Sequence, residues 1–100
     1  MSLHLSHSAA LILKALSLGY GFGFEIMGVT GLPSGTVYPA LRRLERDKFV
    51  DSHWESESDA ASRGRPSRRY YILTAAGKAA SLAATDRYPL LARLLPEKPS

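Results

Sequence analysis

Between Ser34 and Asp47 the chain places Val37, Leu41 and Leu44 at i, i+4 and i+7, one narrow apolar stripe on a helix. At about 100° per residue, the opposite face carries Gly35, Tyr38, Pro39, Arg42 and Arg46, with Arg43 on its flank. This segment must therefore bury one side and present a tyrosine and arginines on the other. The plain alternative is a solvated face whose arginines pair with Glu45 and Asp47. Ser34 or Thr36 can cap the helix. With Thr36 as the cap, Pro39 falls in the first turn and costs little; with Ser34, one helical hydrogen bond is lost.

The flanking segments set the order of elements. Leu5 to Leu18 carries apolar residues at 5, 9, 12, 13 and 16, which predicts a first helix with a wide buried face. Gly19, Gly21 and Gly23 punctuate a turn, and a short second helix is expected over Phe24 to Val29. Val50, Ser52 and Trp54 alternate with Asp51, His53 and Glu55, and Arg69, Tyr71 and Leu73 alternate with Arg68, Tyr70 and Ile72. A period of two makes both segments strands. Ser56 to Ser67 between them is polar and reads as a long loop at the tip of a hairpin. Thr74 caps a final helix, which Pro89 kinks or restarts before the strip Leu90, Leu91, Leu94 and Leu95.

Helix, helix, turn, helix, strand, basic loop, strand, helix is the order of a winged helix-turn-helix. The expected fold is mainly α with a small two-stranded β-wing (α+β). It forms one domain: a DNA-binding core over about 8–73, a C-terminal helix for dimerisation over 74–95 and a tail over 96–100.

One hundred residues suffice for a single domain, and such a chain buries only roughly two-thirds of its unfolded surface, so a second chain completing the core is reasonable. Without cysteine, a disulfide scaffold, a zinc finger and a thiol nucleophile are excluded. The longest strongly apolar stretch, Ala9 to Leu18, contains Lys14 and is too short to span a bilayer. With no leader pattern at the start, the expectation is a cytoplasmic protein without a membrane partner.

The net charge of +4 is modest, so its placement decides what it means. A helix about 10–12 Å across fits the DNA major groove, where base edges present distinct donor and acceptor patterns. The first turn of the third helix aims backbone N–H groups at phosphate and adds the hydroxyls of Ser34, Thr36 and Tyr38. Gly35 removes a side chain where a backbone would approach. Arg42 and Arg46 lie one and two turns further along. The loop between the strands holds Arg63, Arg65, Arg68 and Arg69, which would lie over the neighbouring minor groove or backbone. Double-stranded DNA is the expected partner. The first and last helices hold more leucine and alanine than a three-helix core needs. Leu5, Ala9, Leu82, Leu90, Leu91 and Leu94 are therefore assigned to a two-fold homodimer face, which would set two recognition helices about one DNA turn apart.

No enzyme reading survives. Gly19-Tyr20-Gly21-Phe22-Gly23 follows a helix rather than a strand and is no dinucleotide fingerprint. Ser6-His7 lacks a nearby acid, and His4, His7 and His53 are a thin basis for a metal. No catalytic residue, metal ligand or cofactor is expected.

Gly23-Phe24-Glu25-Ile26, then Gly31-Leu32-Pro33-Ser34-Gly35-Thr36-Val37-Tyr38-Pro39-Ala40-Leu41-Arg42-Arg43-Leu44-Glu45, resembles the PadR family of transcriptional regulators. Arg68-Arg69-Tyr70-Tyr71-Ile72-Leu73-Thr74 followed by Gly77 extends the resemblance, which covers residues 9–82 in order. It implies a dimeric, usually repressing regulator that binds a pseudo-palindromic operator and is released by a small, often aromatic effector. It further implies Tyr38 as a phosphate contact, Arg42 as a base or phosphate reader and Arg63 to Arg69 as the wing.

The sequence departs from the family at three places. Lys48 stands where the family has glycine, in a left-handed corner that costs on the order of 1 kcal/mol. Phe24 replaces tyrosine, and its ring is expected to stay buried. The C-terminal helix is short and interrupted by Pro89, and no particular ligand is carried over. Two rival readings remain at this stage: a winged-helix module docking an acidic protein, and a small-molecule or metal-sensing domain with weak DNA contacts.

Overall fold

A computed structural model describes residues 5–99 of the chain. The side chains of residues 92 and 94 lie outside that description, so the assignment of Leu94 to a dimer face, like any role of His4, falls outside the described residues.

Three helices build the base. In α1 (His7–Ser17), the Ser6 hydroxyl caps the first turn by accepting the Ala9 N–H at 3.1 Å. Ala10, Ile12, Leu13, Ala15 and Leu16 point inward. In α2 (Gly23–Thr30), the Glu25 carboxylate accepts the N–H groups of Gly21 and Phe22, and Gly31 closes the helix in the left-handed conformation, φ 76°. In α3 (Ser34–Arg46), the apolar stripe expected from sequence is buried: Val37 and Leu41 are fully enclosed and Leu44 nearly so. They meet Ile12, Leu13, Ile26 and Val50 in one core. The helix begins earlier than either hydroxyl cap would allow. Pro33 flanks it, Pro39 lies inside, and the carbonyl of Gly35 loses its helical donor.

The hairpin pairs β1 (Val50–Trp54) with β2 (Arg69–Leu73) antiparallel, from Val50 opposite Leu73 to Trp54 opposite Arg69. The alternation holds only at the core end: Val50 and Tyr71 face the core, while Asp51, His53 and Ile72 are exposed. At the outer end it breaks, with Trp54 exposed and Tyr70 half-buried, because the helical core does not extend beneath that part of the hairpin. The glycine-rich connection does more than turn. Phe22 bridges Tyr70, and the Tyr71 N–H donates to the Gly21 carbonyl at 2.8 Å, so residues 21–22 add a stub of third strand.

The polar stretch after β1 is not all loop. Ser56 accepts the Asp59 N–H and starts α4 (Glu57–Ser62), with two acids in its first turn and Ala60 buried. Acids near a helix N-terminus and a serine cap outweigh the lack of an apolar stripe.

α5 (Ala75–Arg87) packs on α1 and buries Ala80, Ser81 and Ala84, small residues that let the two backbones approach. Thr74 caps it as expected, accepting the Gly77 N–H while donating to the Lys48 carbonyl at 2.7 Å. Lys48 does adopt the left-handed conformation, φ 68°. A Cβ on Gly77 would fall 1.9 Å from the Phe49 carbonyl oxygen, so only glycine lets α5 close against this corner. After Pro89 the chain restarts as α6 (Leu91–Leu94).

Two expectations need correction. Phe24 is 75% exposed rather than buried, because α2 turns Ile26 inward and Phe24 away. Leu91, assigned to a partner-facing surface, is buried within the protomer against Ala10 and Ala84, so its apolar surface is already covered.

Candidate nucleic-acid interface

The outward side of α3 is open to solvent. Ser34, Gly35, Arg42, Arg43 and Arg46 are exposed, Tyr38 is 39% exposed, and Thr36 and Pro39 are half-buried. Among the described residues, neither Arg42 nor Arg43 forms an ion pair. Arg46 only reaches its neighbour Asp47 at 3.5 Å, with both side chains more than half exposed. Such a contact restrains an arginine weakly. The face is cationic and unobstructed.

The N-terminus of this helix is equally open. Side-chain groups cap α1, α4 and α5, and Glu25 serves the start of α2. α3 has no side-chain cap and no acid in its first turn. Its leading N–H groups therefore point at solvent with the positive end of the helix dipole, an arrangement that suits a phosphate oxygen. Tyr38 adds to it. Its ring lies over the first residue of α2, so close that a Cβ on Gly23 would be 2.5 Å from the ring and 2.7 Å from the hydroxyl. Gly23 thus lets the tyrosine bring its hydroxyl to the start of a second helix.

The wing is different. Arg65 makes a two-pronged ion pair with Glu55, its Nη1 on Oε1 and its Nη2 2.9 Å from Oε2. The bond from Arg65 holds the Glu55 carboxyl below the usual carboxylate range. Arg68 lays its guanidinium 3.7 Å above the Phe22 ring, and its Nε is buried without a hydrogen-bond partner among the described residues. Arg69 donates to the Ser52 hydroxyl from Nε at 2.9 Å and from Nη2 at 2.7 Å, and reaches the Glu45 carboxylate at 3.4 Å. Of the arginines expected to make the wing basic, Arg63 alone is exposed with no ion pair or ring contact among the described residues. The partners Glu45 and Glu55 lie outside the polar tip, on α3 and just after β1, so the composition of the tip alone does not reveal them.

On the other side of the hairpin, α1, the wing and α5 enclose an open groove of about 1120 Å³. Trp54, Tyr70 and Leu82 line it together with Lys14, Lys78 and Lys98. The C-terminal tail closes one end. Lys98 pairs with Glu25 at 2.6 Å and the Tyr20 hydroxyl donates to the Pro96 carbonyl at 2.8 Å. Burial pushes the Glu25 carboxyl up, but the hydrogen bond from Lys98 and those from the Phe22 and Gly21 N–H groups outweigh it and leave it below its ordinary value. Among the described residues, no three His, Cys, Asp or Glu side chains gather as a metal site, and no helix is long and apolar enough to cross a membrane.

The family model of the transcriptional regulator PadR-like family matches residues 12–84. The chain belongs to the PadR-like family. Solved structures agree on the fold. A PadR family transcription regulator from Clostridium difficile superposes with a TM-score of 0.70 at 24% identity, covering 89% of this chain and 94% of that one. A PadR-like regulator from Bacillus cereus gives a TM-score of 0.63 at 22% identity, with 85% and 84% covered. PcaV from Streptomyces coelicolor, solved with its natural ligand, gives 0.73 at 18% identity, covering 93% of this chain and 62% of PcaV. Among curated proteins, none matches the sequence. Membership in this PadR-like family makes the fold that of a winged-helix transcription regulator and DNA-binding regulation its general role.

Proposed function

We propose that this PadR-like chain is a sequence-specific DNA-binding repressor that acts as a homodimer on a pseudo-palindromic operator. The observation that carries the reading is the open face of α3. An uncapped helix N-terminus, the Tyr38 hydroxyl and Arg42 and Arg43, which form no ion pair among the described residues, share one exposed surface above a buried stripe. The N-terminal groups suit phosphates, while Arg42 and Arg46 lie further along and reach toward base edges. Ser34, Gly35, Thr36, Tyr38, Pro39, Arg42, Arg43 and Arg46 form the proposed reading surface, with Arg63 as the wing arginine that has no ion pair or ring contact among the described residues.

A partner protomer would use the face left by α5 and the start of α6, where Leu82 is 70% and Leu90 68% exposed. Leu5 and Ala9 flank it, half-buried. Two copies would then present two α3 helices to successive major grooves. The groove beside Trp54 is the proposed seat of a small effector, since it adjoins both the wing and α5. PcaV, a structural neighbour, holds a natural ligand.

Fluorescence anisotropy against duplexes tiling the region upstream of the chain's own gene tests the reading, with an unrelated duplex as control at two salt concentrations. One tile bound far more tightly than the control, with a salt slope worth several phosphates at roughly −0.9 each, is the expected result. Equal weak binding to every tile would favour a basic face made for a protein.

A further inference from the structure

Three side chains from three elements meet between the recognition helix and the wing. Glu45 comes from the last turn of α3, Ser52 from the middle of β1 and Arg69 from the start of β2. The Ser52 hydroxyl donates to Glu45 Oε2 while accepting from Arg69, and the Arg69 guanidinium reaches both Glu45 oxygens at 3.4 Å. Arg69 is also held near the Trp54 ring, 5.8 Å from its centroid. The cluster closes a loop of polar contacts across the joint by which the wing hangs from the helix.

We propose that this Glu45–Ser52–Arg69 clasp is a specificity-determining positioning device that fixes the angle between α3 and the wing. It rests on the DNA-binding reading above. A reader that touches the major groove with a helix and the flanking backbone with a wing docks best when the two parts are already at the right separation, because less freedom is lost on binding. Only a duplex whose sequence sets both contacts in register then gains fully, so a rigid joint sharpens discrimination. The ion pair itself is partly exposed, with side chains 43% and 34% accessible, and contributes little to global stability. A change in recognition without a change in Tm is therefore its signature.

The clasp makes a prediction opposite in sign to simple electrostatics. Removing an acid beside a DNA-facing helix should strengthen binding to a polyanion. If Glu45 acts by holding Arg69, Glu45→Gln instead weakens binding to the preferred tile about tenfold, by a coupling of the usual size between contacting residues. Binding to an unrelated duplex is unchanged or tighter, and Tm is unchanged. Ser52→Ala should behave alike. Preferred-tile affinity that is unchanged or raised in Glu45→Gln, or an equal loss on both duplexes, overturns the proposal.

A second measurement needs no DNA. The chain has no cysteine, so spin labels at Arg46→Cys and Arg63→Cys report the distance from α3 to the wing uniquely. A narrow distribution that broadens when Glu45→Gln is added supports the clasp, and equal widths overturn it. If no tile is preferred by the parent protein, the DNA-binding reading fails on its own, and the label widths still decide the clasp.

Discussion

The helix α3 and the wing are both rich in arginine, with three on the helix and four in the wing, yet their arginines live in different electrostatic surroundings. On α3, Arg42, Arg43 and Arg46 project from the side opposite a buried stripe, and none has a strong partner among the described residues. In the wing, Arg65 is held by Glu55, Arg68 by the Phe22 ring and Arg69 by Ser52 and Glu45. A cation already paired gains less from a phosphate, since it must first give up its carboxylate. The same residue type therefore does two jobs. On α3 it stays exposed to solvent; in the wing, Arg63 apart, it is held by neighbouring side chains.

The comparison breaks most completely if the helix face is not where its phase puts it. Leu41→Ala removes a fully buried side chain beneath Arg42 and should cost about 2–5 kcal/mol in unfolding free energy, read by denaturant titration. An unresolved change would mean that α3 is rotated and its arginines face elsewhere. Arg42→Ala comes next, with a loss of about 1–3 kcal/mol on the preferred duplex and relaxed discrimination at one base pair. Loss of the same size on an unrelated duplex would make Arg42 a phosphate contact only.

Smaller effects sharpen the corner that joins the two regions. Lys48→Gly should raise stability by about 1 kcal/mol, because φ 68° strains a residue with a Cβ and suits glycine. A lower Tm in that variant would show that the lysine side chain contributes more than its backbone costs. The smallest expected effect is on pH dependence. The folded protein holds the Glu25 carboxyl below 4.5, so its link to Lys98 stabilises the fold above the ordinary carboxylate range and is lost as pH falls through the lowered value. The Tm advantage of the parent over Glu25→Gln should therefore be present at neutral pH and shrink below about pH 4.5.

The helix half of the comparison was legible in the sequence because its signals are local. Val37, Leu41 and Leu44 fix the phase of α3 within two turns, Thr74 announces a cap, and Pro89 an interruption. The wing half depends on pairs distant along the chain. Arg65 meets Glu55 and Arg69 meets Glu45 only after the hairpin folds back, and no spacing rule shows that in advance. α4 hid in a polar stretch because one buried Ala60 makes no stripe, although Ser56 followed by Glu57 and Asp59 was a readable start signal. The exposure of Phe24 is hidden in the sequence for a related reason. In a helix as short as α2, Ile26 is the only large buried side chain, and a single residue does not set a phase.

The most direct test is the salt dependence of binding to one duplex, the tile bound most tightly, for the parent, Arg63→Gln and Arg65→Gln. Because Arg63 is unpaired among the described residues and Arg65 is already held by Glu55, Arg63→Gln should flatten the slope of log affinity against log salt by roughly 0.9, one phosphate's worth. Arg65→Gln should leave the slope unchanged. Equal flattening by both variants, or a larger effect from Arg65, would contradict the division between offered and internally held arginines.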